Sequence, residues 1–261
     1  MPNNATPVGN TRIISIINQK GGVGKSTTAI NLSAALGAAG KSVLLIDLDP
    51  QGNTTSGLGC KNEVDRCIYD VLLQDAPISD VIIKDACQNV DLVPASINLA
   101  GAEVELVSEM ARENRLKNAA GSMRGIYDFI LIDCPPSLGL LTLNALVAAD
   151  KLLIPIQCEF YALEGVTKLL DSMKRVRGIL NPSLDIEGVV LTMYDSRQTL
   201  AKNVVEEVRN YFGRLMFNII IPREVKIAEA PSFGQPITEF APKSKGAIAY
   251  RELAKEVIER G

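Results

Sequence analysis

The sequence KGGVGKST at residues 20–27 lies between a β-rich apolar stretch, Arg12–Ile17, and a helix-like stretch, Thr27–Ala39. Glycine has no Cβ to clash, so consecutive amide groups of a glycine-rich turn can curl around an anion. The amino terminus of the following helix adds the positive end of its dipole. The order of strand, glycine-rich turn and helix therefore predicts a phosphate-binding loop.

A second lysine distinguishes this loop from the general pattern G-x-x-x-x-G-K-[ST]. That pattern puts its first glycine at position 19, where this chain has Gln19, and the chain instead carries a second lysine, Lys20. We expect Lys25 to reach the β- and γ-phosphates of a nucleotide and the Ser26 hydroxyl to ligate Mg²⁺. The predicted phosphate contacts are Lys20, Gly21, Gly22, Val23, Gly24, Lys25, Ser26 and Thr27.

Aspartates end two of the apolar runs. Asp47 and Asp49 emerge from the run Ser42–Asp47, and Asp133 ends the run Tyr127–Asp133. In open α/β sheets the ligand binds outside the carboxyl ends of the strands. Carboxylates placed there can hold the water ligands of Mg²⁺ or orient an attacking water.

Strand-like and helix-like stretches alternate along the chain, which predicts a parallel sheet between helices. Near-continuous apolar runs indicate strands buried on both faces. We predict an α/β fold with a mostly parallel twisted sheet, in one domain over 12–261 after a disordered or extended tail, 1–11. Further predicted strands are Asp91–Pro94, Lys151–Ile156, Ile186–Thr192 and Met216–Ile221, and further predicted helices are Asn98–Ala120, Ser137–Ala148, Leu163–Leu180, Leu200–Phe212 and Lys245–Glu259.

Composition excludes several classes of function. The 261 residues contain no histidine, which removes Ser-His-Asp and Cys-His catalysis and histidine-containing metal sites. Tryptophan is absent and aromatic residues make up 5%, so a stacking platform for single-stranded nucleic acid is not expected. The five cysteines include no CxxC pair, which favours buried thiols in a reducing cytoplasm.

Several segments besides the loop resemble the ParA/Soj branch of the deviant Walker A ATPases, which share the MinD-like P-loop fold. The resemblance runs from about Ile13 to Val257. It rests on Lys20 in the loop and on DLDPQGNTT at 47–55, AGAEVEL at 100–106, IDCPPS at 132–137, QCEFYALEG at 157–165, IPR at 221–223 and EAPS at 229–232.

The resemblance implies a Mg²⁺-dependent ATP hydrolase that closes into an ATP-dependent sandwich homodimer. It implies that Lys20 crosses to the phosphates bound by the partner subunit, and that Asp49 acts on the attacking water with Asp47 in support. It assigns Mg²⁺ to Ser26 directly and to Asp133 and Asp49 through water. It places Pro222 and Arg223 near the adenine, with Met193 as a weaker candidate.

The resemblance also implies partners. ParA/Soj dimers bind double-stranded DNA without sequence preference, and a ParB/Spo0J-type centromere-binding protein stimulates their hydrolysis to drive chromosome or plasmid segregation. The matching DNA-binding positions are Arg197 and Lys226. Residues 196–261 carry a net charge of +3 on a chain whose total is −3, which is compatible with a basic patch. Looser candidates are Lys202, Arg209, Lys243, Lys245 and Arg251.

Three alternatives remain. A MinD-like regulator would need a membrane anchor in Lys245–Glu259, whose polar face mixes acidic and basic residues. An iron protein would need a cluster held by cysteines such as Cys134, and a small-molecule P-loop kinase would leave Lys20 unexplained. We expect no membrane contact, a cytoplasmic, nucleoid-associated protein, and no helix-turn-helix in the short stretch before the first strand.

Overall fold

The computed structural model describes residues 11–160 and 162–260. Within them, eight strands form one sheet in the order β3-β4-β2-β5-β1-β6-β7-β8. Every neighbouring pair is parallel except β3 with β4. The strands are β1 Arg12–Ile16, β2 Val43–Asp47, β3 Ile83–Cys87, β4 Val90–Val93, β5 Phe129–Asp133, β6 Lys151–Gln157, β7 Asp185–Tyr194 and β8 Met216–Pro222.

Within the described residues, helices cover both faces of the sheet. Residues of α3 to α8 pack in one apolar cluster, and residues of α1, α9, α10 and α11 pack in the other. The helices are α1 Lys25–Ala38, α2 Asn53–Gly57, α3 Ile68–Leu73, α4 Leu99–Glu105, α5 Arg115–Gly121, α6 Leu140–Ala148, α7 Glu164–Ile179, α8 Thr199–Phe212, α9 Val225–Glu229, α10 Ile237–Phe240 and α11 Lys245–Glu259.

Strand β2 shows why the apolar runs are continuous. Leu44 and Ile46 lie in the cluster on one face, and Val43 and Leu45 lie in the cluster on the other, all four with no exposed surface. A strand between two helical layers needs apolar side chains at every position rather than at every second one. The predicted fold class is therefore confirmed.

Among the described elements, the predictions miss one strand and the four short helices α2, α3, α9 and α10, and they join two helices into one. Strand β3 pairs with β4 alone among the strands that the structure describes, and it exposes Lys84 and Asp85, so it lacks an apolar run. The prediction of one helix over Asn98–Ala120 is wrong, because the chain turns between α4 and α5 through Ala111 at φ 51°. That turn brings Leu106 and Leu116, both fully buried, into the same apolar cluster.

Residues 1–10 of the predicted amino-terminal tail lie outside the described residues. Tyr161 of the 157–165 segment lies outside them too. Thr11 is described and is buried, with 3% of its surface exposed. Its hydroxyl donates a hydrogen bond of 2.7 Å to the carbonyl oxygen of Tyr127. Thr11 is therefore attached to the chain segment that leads into β5.

Four charged residues meet at the amino-terminal ends of β1, β6 and β7, and we call Arg12, Lys151, Glu187 and Arg260 the amino-edge cluster. Glu187 is 2% exposed, and its carboxylate lies 2.6 Å from Arg12 Nη2 and 3.3 Å from Lys151 Nζ. Arg260 donates to the Glu187 carbonyl oxygen at 2.9 Å and stacks on Phe217 at 3.8 Å.

The amino-edge cluster also holds α11. Arg12 Nη1 donates to the Val257 carbonyl oxygen at 2.7 Å, near the end of that helix. The helix itself buries Ala247, Tyr250 and Leu253 in the apolar cluster that it shares with α1. The last helix is thus packed along its length and attached at its end.

Candidate functional site

The glycine-rich loop leaves β1 and enters α1 through left-handed backbone conformations. Gly22 has φ 75° and Gly24 has φ 87°, a region that only glycine enters at little cost. Thr192 of β7 holds the loop from behind, since its hydroxyl donates to the Val23 carbonyl oxygen at 2.8 Å. A Cβ added at Gly21 or Gly22 would meet nothing within 4 Å, so the space in front of the loop is open.

The two lysines of the loop lie in different environments. Lys25 is 7% exposed, and its ammonium donates to the Lys20 carbonyl oxygen at 3.4 Å. Burial lowers the Lys25 pKa, and the nearby Asp133 carboxylate opposes that shift. The Lys20 side chain is 40% exposed, and its Nζ lies 3.9 Å from Glu159 Oε2. Lys25 is thus fixed inside the site, whereas Lys20 lies at its rim.

Two adjoining cavities of about 520 and 340 Å³ form one groove, because Gly24, Thr27 and Met193 line both. The remaining residues that line the phosphate end are Gly21, Gly22, Lys25, Ser26, Ile30, Asp49, Gln51, Asn53, Pro136 and Pro231. The remaining residues at the other end are Thr192, Ile221, Pro222, Arg223, Glu224, Val225, Ile227, Ala228 and Tyr250.

Both carboxyl oxygens of Asp47 accept hydrogen bonds from the protein. It is fully buried at the end of β2, opposite Asp133 in register. Its Oδ2 accepts the Thr55 amide at 2.8 Å and the Thr55 hydroxyl at 2.7 Å, and its Oδ1 accepts the Asp49 amide at 3.2 Å. Asp47 therefore holds the loop that follows β2.

Asp133 has one engaged oxygen and one free oxygen. Its Oδ2 accepts the Thr54 hydroxyl at 2.7 Å, and its buried Oδ1 has no hydrogen-bond partner among the described residues. Burial raises the Asp133 pKa, while the nearby hydroxyls of Thr54 and Ser26 lower it. An unpartnered buried oxygen is rare in folded proteins and fits a position for a metal-bound water.

Asp49 is the aspartate that lines the groove. It is 7% exposed, and its Oδ1 accepts the Gln51 amide at 2.9 Å. Lys25 and Ser26 line the same cavity of about 520 Å³. The three aspartates thus divide: Asp47 faces the protein, Asp133 keeps one oxygen free, and Asp49 faces the groove.

The other end of the groove contains the three residues predicted near the adenine. Met193 has φ 53°, a strained conformation for a residue with a side chain, and it borders both cavities. Pro222 and Arg223 line the apolar end, and the Arg223 amide donates to the Tyr194 carbonyl oxygen at 2.9 Å. Sequence reasoning missed Tyr250, which reaches this cavity from α11 and carries no local signal of a binding role.

The predicted DNA contacts lie at neighbouring strand ends. Arg197 follows β7 and Lys226 lies in α9 after β8, and Tyr194 pairs with Pro222 between those strands. Arg197 is 87% exposed, and its guanidinium donates to both carboxyl oxygens of Asp195 at 2.9 and 2.7 Å. Among the looser candidates, Arg251 is half-buried and donates to the Pro242 carbonyl oxygen. The exposed ones are Lys202, Arg209, Lys243 and Lys245.

All five cysteines are buried, and within the described residues none forms a disulfide. Burial raises the pKa of the Cys134 thiol, which has no exposed surface. A thiol in this environment stays protonated and packs as an apolar group. Over the described ranges 11–160 and 162–260, no helix is both long and apolar enough to cross a membrane.

Comparison with known proteins gives consistent matches. A family model described as an AAA domain matches residues 11–186. The chain is 54% identical over 251 residues to the sporulation initiation inhibitor protein Soj of Bacillus subtilis, covering 96% of this chain and 99% of that protein. It is 53% identical over 250 residues to the chromosome partitioning protein ParA of Myxococcus xanthus, covering 95% and 88%.

A solved structure shares the fold at similar coverage. Cobyrinic acid a,c-diamide synthase from Mycobacterium smegmatis, with a bound ATP analogue and magnesium, is 40% identical to this chain with a TM-score of 0.84 over 95% of each chain. The similarity to known proteins therefore extends over nearly the whole chain and is not confined to the glycine-rich loop.

Proposed function

Because the chain belongs to the Soj/ParA family of chromosome-partitioning ATPases, we propose that it is a Mg²⁺-dependent ATP hydrolase whose ATP-bound homodimer binds DNA. Binding is to double-stranded DNA without sequence preference, and a ParB/Spo0J-type protein stimulates hydrolysis to release it. The protein thereby segregates a chromosome or plasmid on the nucleoid. The observation that carries the proposal is the groove with Lys25, Ser26 and Asp49 at one end and Pro222 and Arg223 at the other.

The residues present fit a magnesium nucleotide. The open cradle at Gly21 and Gly22 suits phosphate oxygens, and the unpartnered Oδ1 of Asp133 suits a water ligand of Mg²⁺. In the proposal Ser26 ligates the ion, and Asp133 and Asp49 hold its waters. The bound ion would neutralise charge on the phosphate oxygens.

The side chains around the phosphates have separate tasks in this mechanism. Lys25 is buried beside the loop and provides a fixed positive charge for the β- and γ-phosphates. Asp49 orients the attacking water, because it lines the cavity and the Gln51 amide fixes its Oδ1. Asp47 supports Asp49 by accepting its amide.

Dimerisation depends on Lys20 in the proposal. Its side chain is 40% exposed and forms an ion pair of 3.9 Å with Glu159 Oε2, a contact that holds it weakly. An exposed lysine at the rim of the groove can reach phosphates bound by a second copy of the chain. Such a contact would make the dimer depend on the γ-phosphate.

DNA binding is assigned to the edge that carries Arg197 and Lys226. Both are exposed, and they follow adjacent strands, so a phosphate backbone can contact both at once. Contacts of this kind read charge rather than sequence and weaken steeply with salt.

The packing of α11 disfavours the MinD-like alternative. A surface anchor needs an apolar face that is free to enter the lipid. Here that face packs in the apolar cluster around α1, and Arg12 binds the carbonyl oxygen of Val257 near the helix end. Among the large apolar side chains described on α11, Ile248 is the exposed one, at 51%.

The test is binding to random-sequence duplex DNA at low salt with ATP, with ADP and without nucleotide. We expect ATP-dependent binding that the double variant Arg197→Ala/Lys226→Ala loses and that falls as salt rises. A matched double variant, Lys174→Ala/Arg177→Ala, removes the same charge from the carboxyl-terminal half of α7 and should bind DNA like the wild type.

Liposomes serve as the second substrate in that experiment. ATP-dependent binding to liposomes without binding to DNA would overturn the DNA-binding proposal and favour the MinD-like regulator. Equal loss of DNA binding in both double variants would overturn the assignment of Arg197 and Lys226, because net charge alone would then account for the effect.

A further inference from the structure

Thr54 connects two loops that the mechanism treats separately. It lies in α2, just after the loop that carries Asp49, and it is fully buried. Its hydroxyl donates a hydrogen bond of 2.7 Å to Oδ2 of Asp133 at the end of β5. The contact therefore joins the segment after β2 to the acidic end of a neighbouring strand.

The contact constrains an aspartate whose buried Oδ1 has no hydrogen-bond partner among the described residues. A carboxylate held through a single oxygen by a fixed, buried hydroxyl cannot turn its other oxygen away without breaking that bond. In Asp133 the other oxygen is the unpartnered Oδ1. Groups that hold a metal's ligands from behind set the orientation of those ligands and the metal affinity.

The adjacent residue, Thr55, has a different role. The Thr55 hydroxyl donates to Asp47 Oδ2 at 2.7 Å and accepts the Ala95 amide at 3.0 Å, so it closes a network around an aspartate with no free oxygen. Thr54 holds its aspartate from one side and leaves the other side open. The two neighbouring threonines thus separate a closed carboxylate from an open one.

We propose that Thr54 is a positioning residue that holds Asp133 so that its Oδ1 receives a water ligand of nucleotide-bound Mg²⁺. The inference rests on the proposed function, since it concerns the magnesium site of the ATPase. Thr54 touches neither phosphate nor metal and acts through Asp133. Its removal should weaken Mg²⁺ binding while the contacts of the glycine-rich loop to the nucleotide persist.

The experiment measures binding of a fluorescent ADP analogue, first in EDTA and then in a titration with Mg²⁺. Thr54→Val removes the hydroxyl at nearly constant volume, and Thr54→Ser keeps it. We expect Thr54→Val to bind the analogue in EDTA as the wild type does, and to need roughly 10-fold more Mg²⁺ for the half-maximal effect. Thr54→Ser should restore the wild-type Mg²⁺ requirement.

Thr142→Val is the matched control. Thr142 is 1% exposed, and its hydroxyl donates to the carbonyl oxygen of Ser137 instead of a carboxylate. It should leave the Mg²⁺ titration unchanged even if it lowers the melting temperature. If Thr54→Val does not fold, Thr54→Ala replaces it with the same expected shift.

The outcomes separate this inference from the proposed function. A wild-type Mg²⁺ requirement in Thr54→Val, or a shift that Thr54→Ser fails to reverse, would overturn the positioning role. Equal weakening in EDTA and in Mg²⁺ would overturn it too, because Thr54 would then support the fold of the whole groove. A wild-type protein whose nucleotide binding ignores Mg²⁺ would overturn the proposed ATPase mechanism and this inference with it.

Discussion

Opposite edges of the same sheet bury charged groups in two different ways. At the amino edge, Glu187 has a cation at each carboxyl oxygen, Arg12 at 2.6 Å and Lys151 at 3.3 Å. At the carboxyl edge, Asp133 is as deeply buried but keeps Oδ1 without a partner among the described residues. Glu187 Oε2 makes no hydrogen bond either, but a cation lies beside it, whereas Asp133 Oδ1 has neither a hydrogen bond nor an ion pair among the described residues.

The difference separates stability from function. A buried carboxylate costs desolvation energy that only ion pairs and hydrogen bonds offset. The amino-edge cluster offsets that cost with two ion pairs to Glu187, and it attaches α11 through Arg12 and Arg260. The carboxyl edge leaves part of the cost unmet, which is common at sites that bind a ligand. Substitutions at the carboxyl edge should therefore change chemistry, and substitutions at the amino edge should change stability.

The largest expected effect is on hydrolysis, from Asp49→Ala. We expect kcat to fall by roughly 10²–10⁴-fold, because the water-orienting carboxylate is lost. ATP binding and the melting temperature should stay near wild type, so an ATP-bound dimer should accumulate. Phosphate release will measure hydrolysis, and light scattering will measure the dimer. Asp171→Ala, an exposed aspartate on α7, is the control. If Asp49→Ala hydrolyses ATP at the wild-type rate, the claim that the carboxyl edge carries the chemistry is wrong.

The next effect is on folding, from Glu187→Gln. The substitution leaves Arg12 and Lys151 without their buried counter-charge, so the free energy of unfolding should fall by about 3 kcal/mol. ATP affinity of the folded fraction should not change, which urea denaturation and nucleotide titration together will show. Glu206→Gln, on the exposed face of α8, should change little. Lost ATP affinity at full stability would contradict the division between the edges.

The sequence predicted the carboxyl edge better than the amino edge for a physical reason. The glycine-rich loop and Asp133 follow apolar runs directly, so a local pattern indicates them, and seven of the eight strands were predicted in the same way. Glu187 and Arg12 lie 175 residues apart in the chain, and no spacing indicates their pairing.

Contacts between distant segments explain the other misses. Thr54 meets Asp133 only because β2 and β5 are neighbours, and Tyr250 reaches the groove only because α11 packs beside α1. Strand β3 exposes polar side chains at the sheet edge, and the turn at Ala111 depends on packing of the residues on either side. Local patterns report what one segment prefers, and these features depend on which segments meet.

A smaller loss of stability is expected from Arg260→Ala. Arg260 donates to the carbonyl oxygens of Glu187, Leu215 and Met216 and stacks on the Phe217 ring. Losing these contacts should lower the free energy of unfolding by about 2 kcal/mol, measured in urea, with ATP hydrolysis unchanged. Lys255→Ala, also on α11 but 62% exposed, should stay within about 0.5 kcal/mol of wild type. A liposome assay on the same variant would show whether loosening α11 exposes a membrane-binding face.

The smallest change has the opposite sign and tests the comparison most sharply. Asp133→Asn keeps an oxygen to accept the Thr54 hydroxyl but removes a buried charge whose Oδ1 has no partner among the described residues. The desolvation that raises the Asp133 pKa outweighs the attraction of Lys25 that lowers it, so the free energy of unfolding without nucleotide should rise by about 1 kcal/mol, whereas the same kind of change at Glu187 lowers it. Stabilisation by ADP should lose its dependence on Mg²⁺, which melting curves with EDTA and with Mg²⁺ will measure. If Asp133→Asn destabilises the protein as Glu187→Gln does, both carboxylates are structural and the unpartnered oxygen does not mark a ligand site.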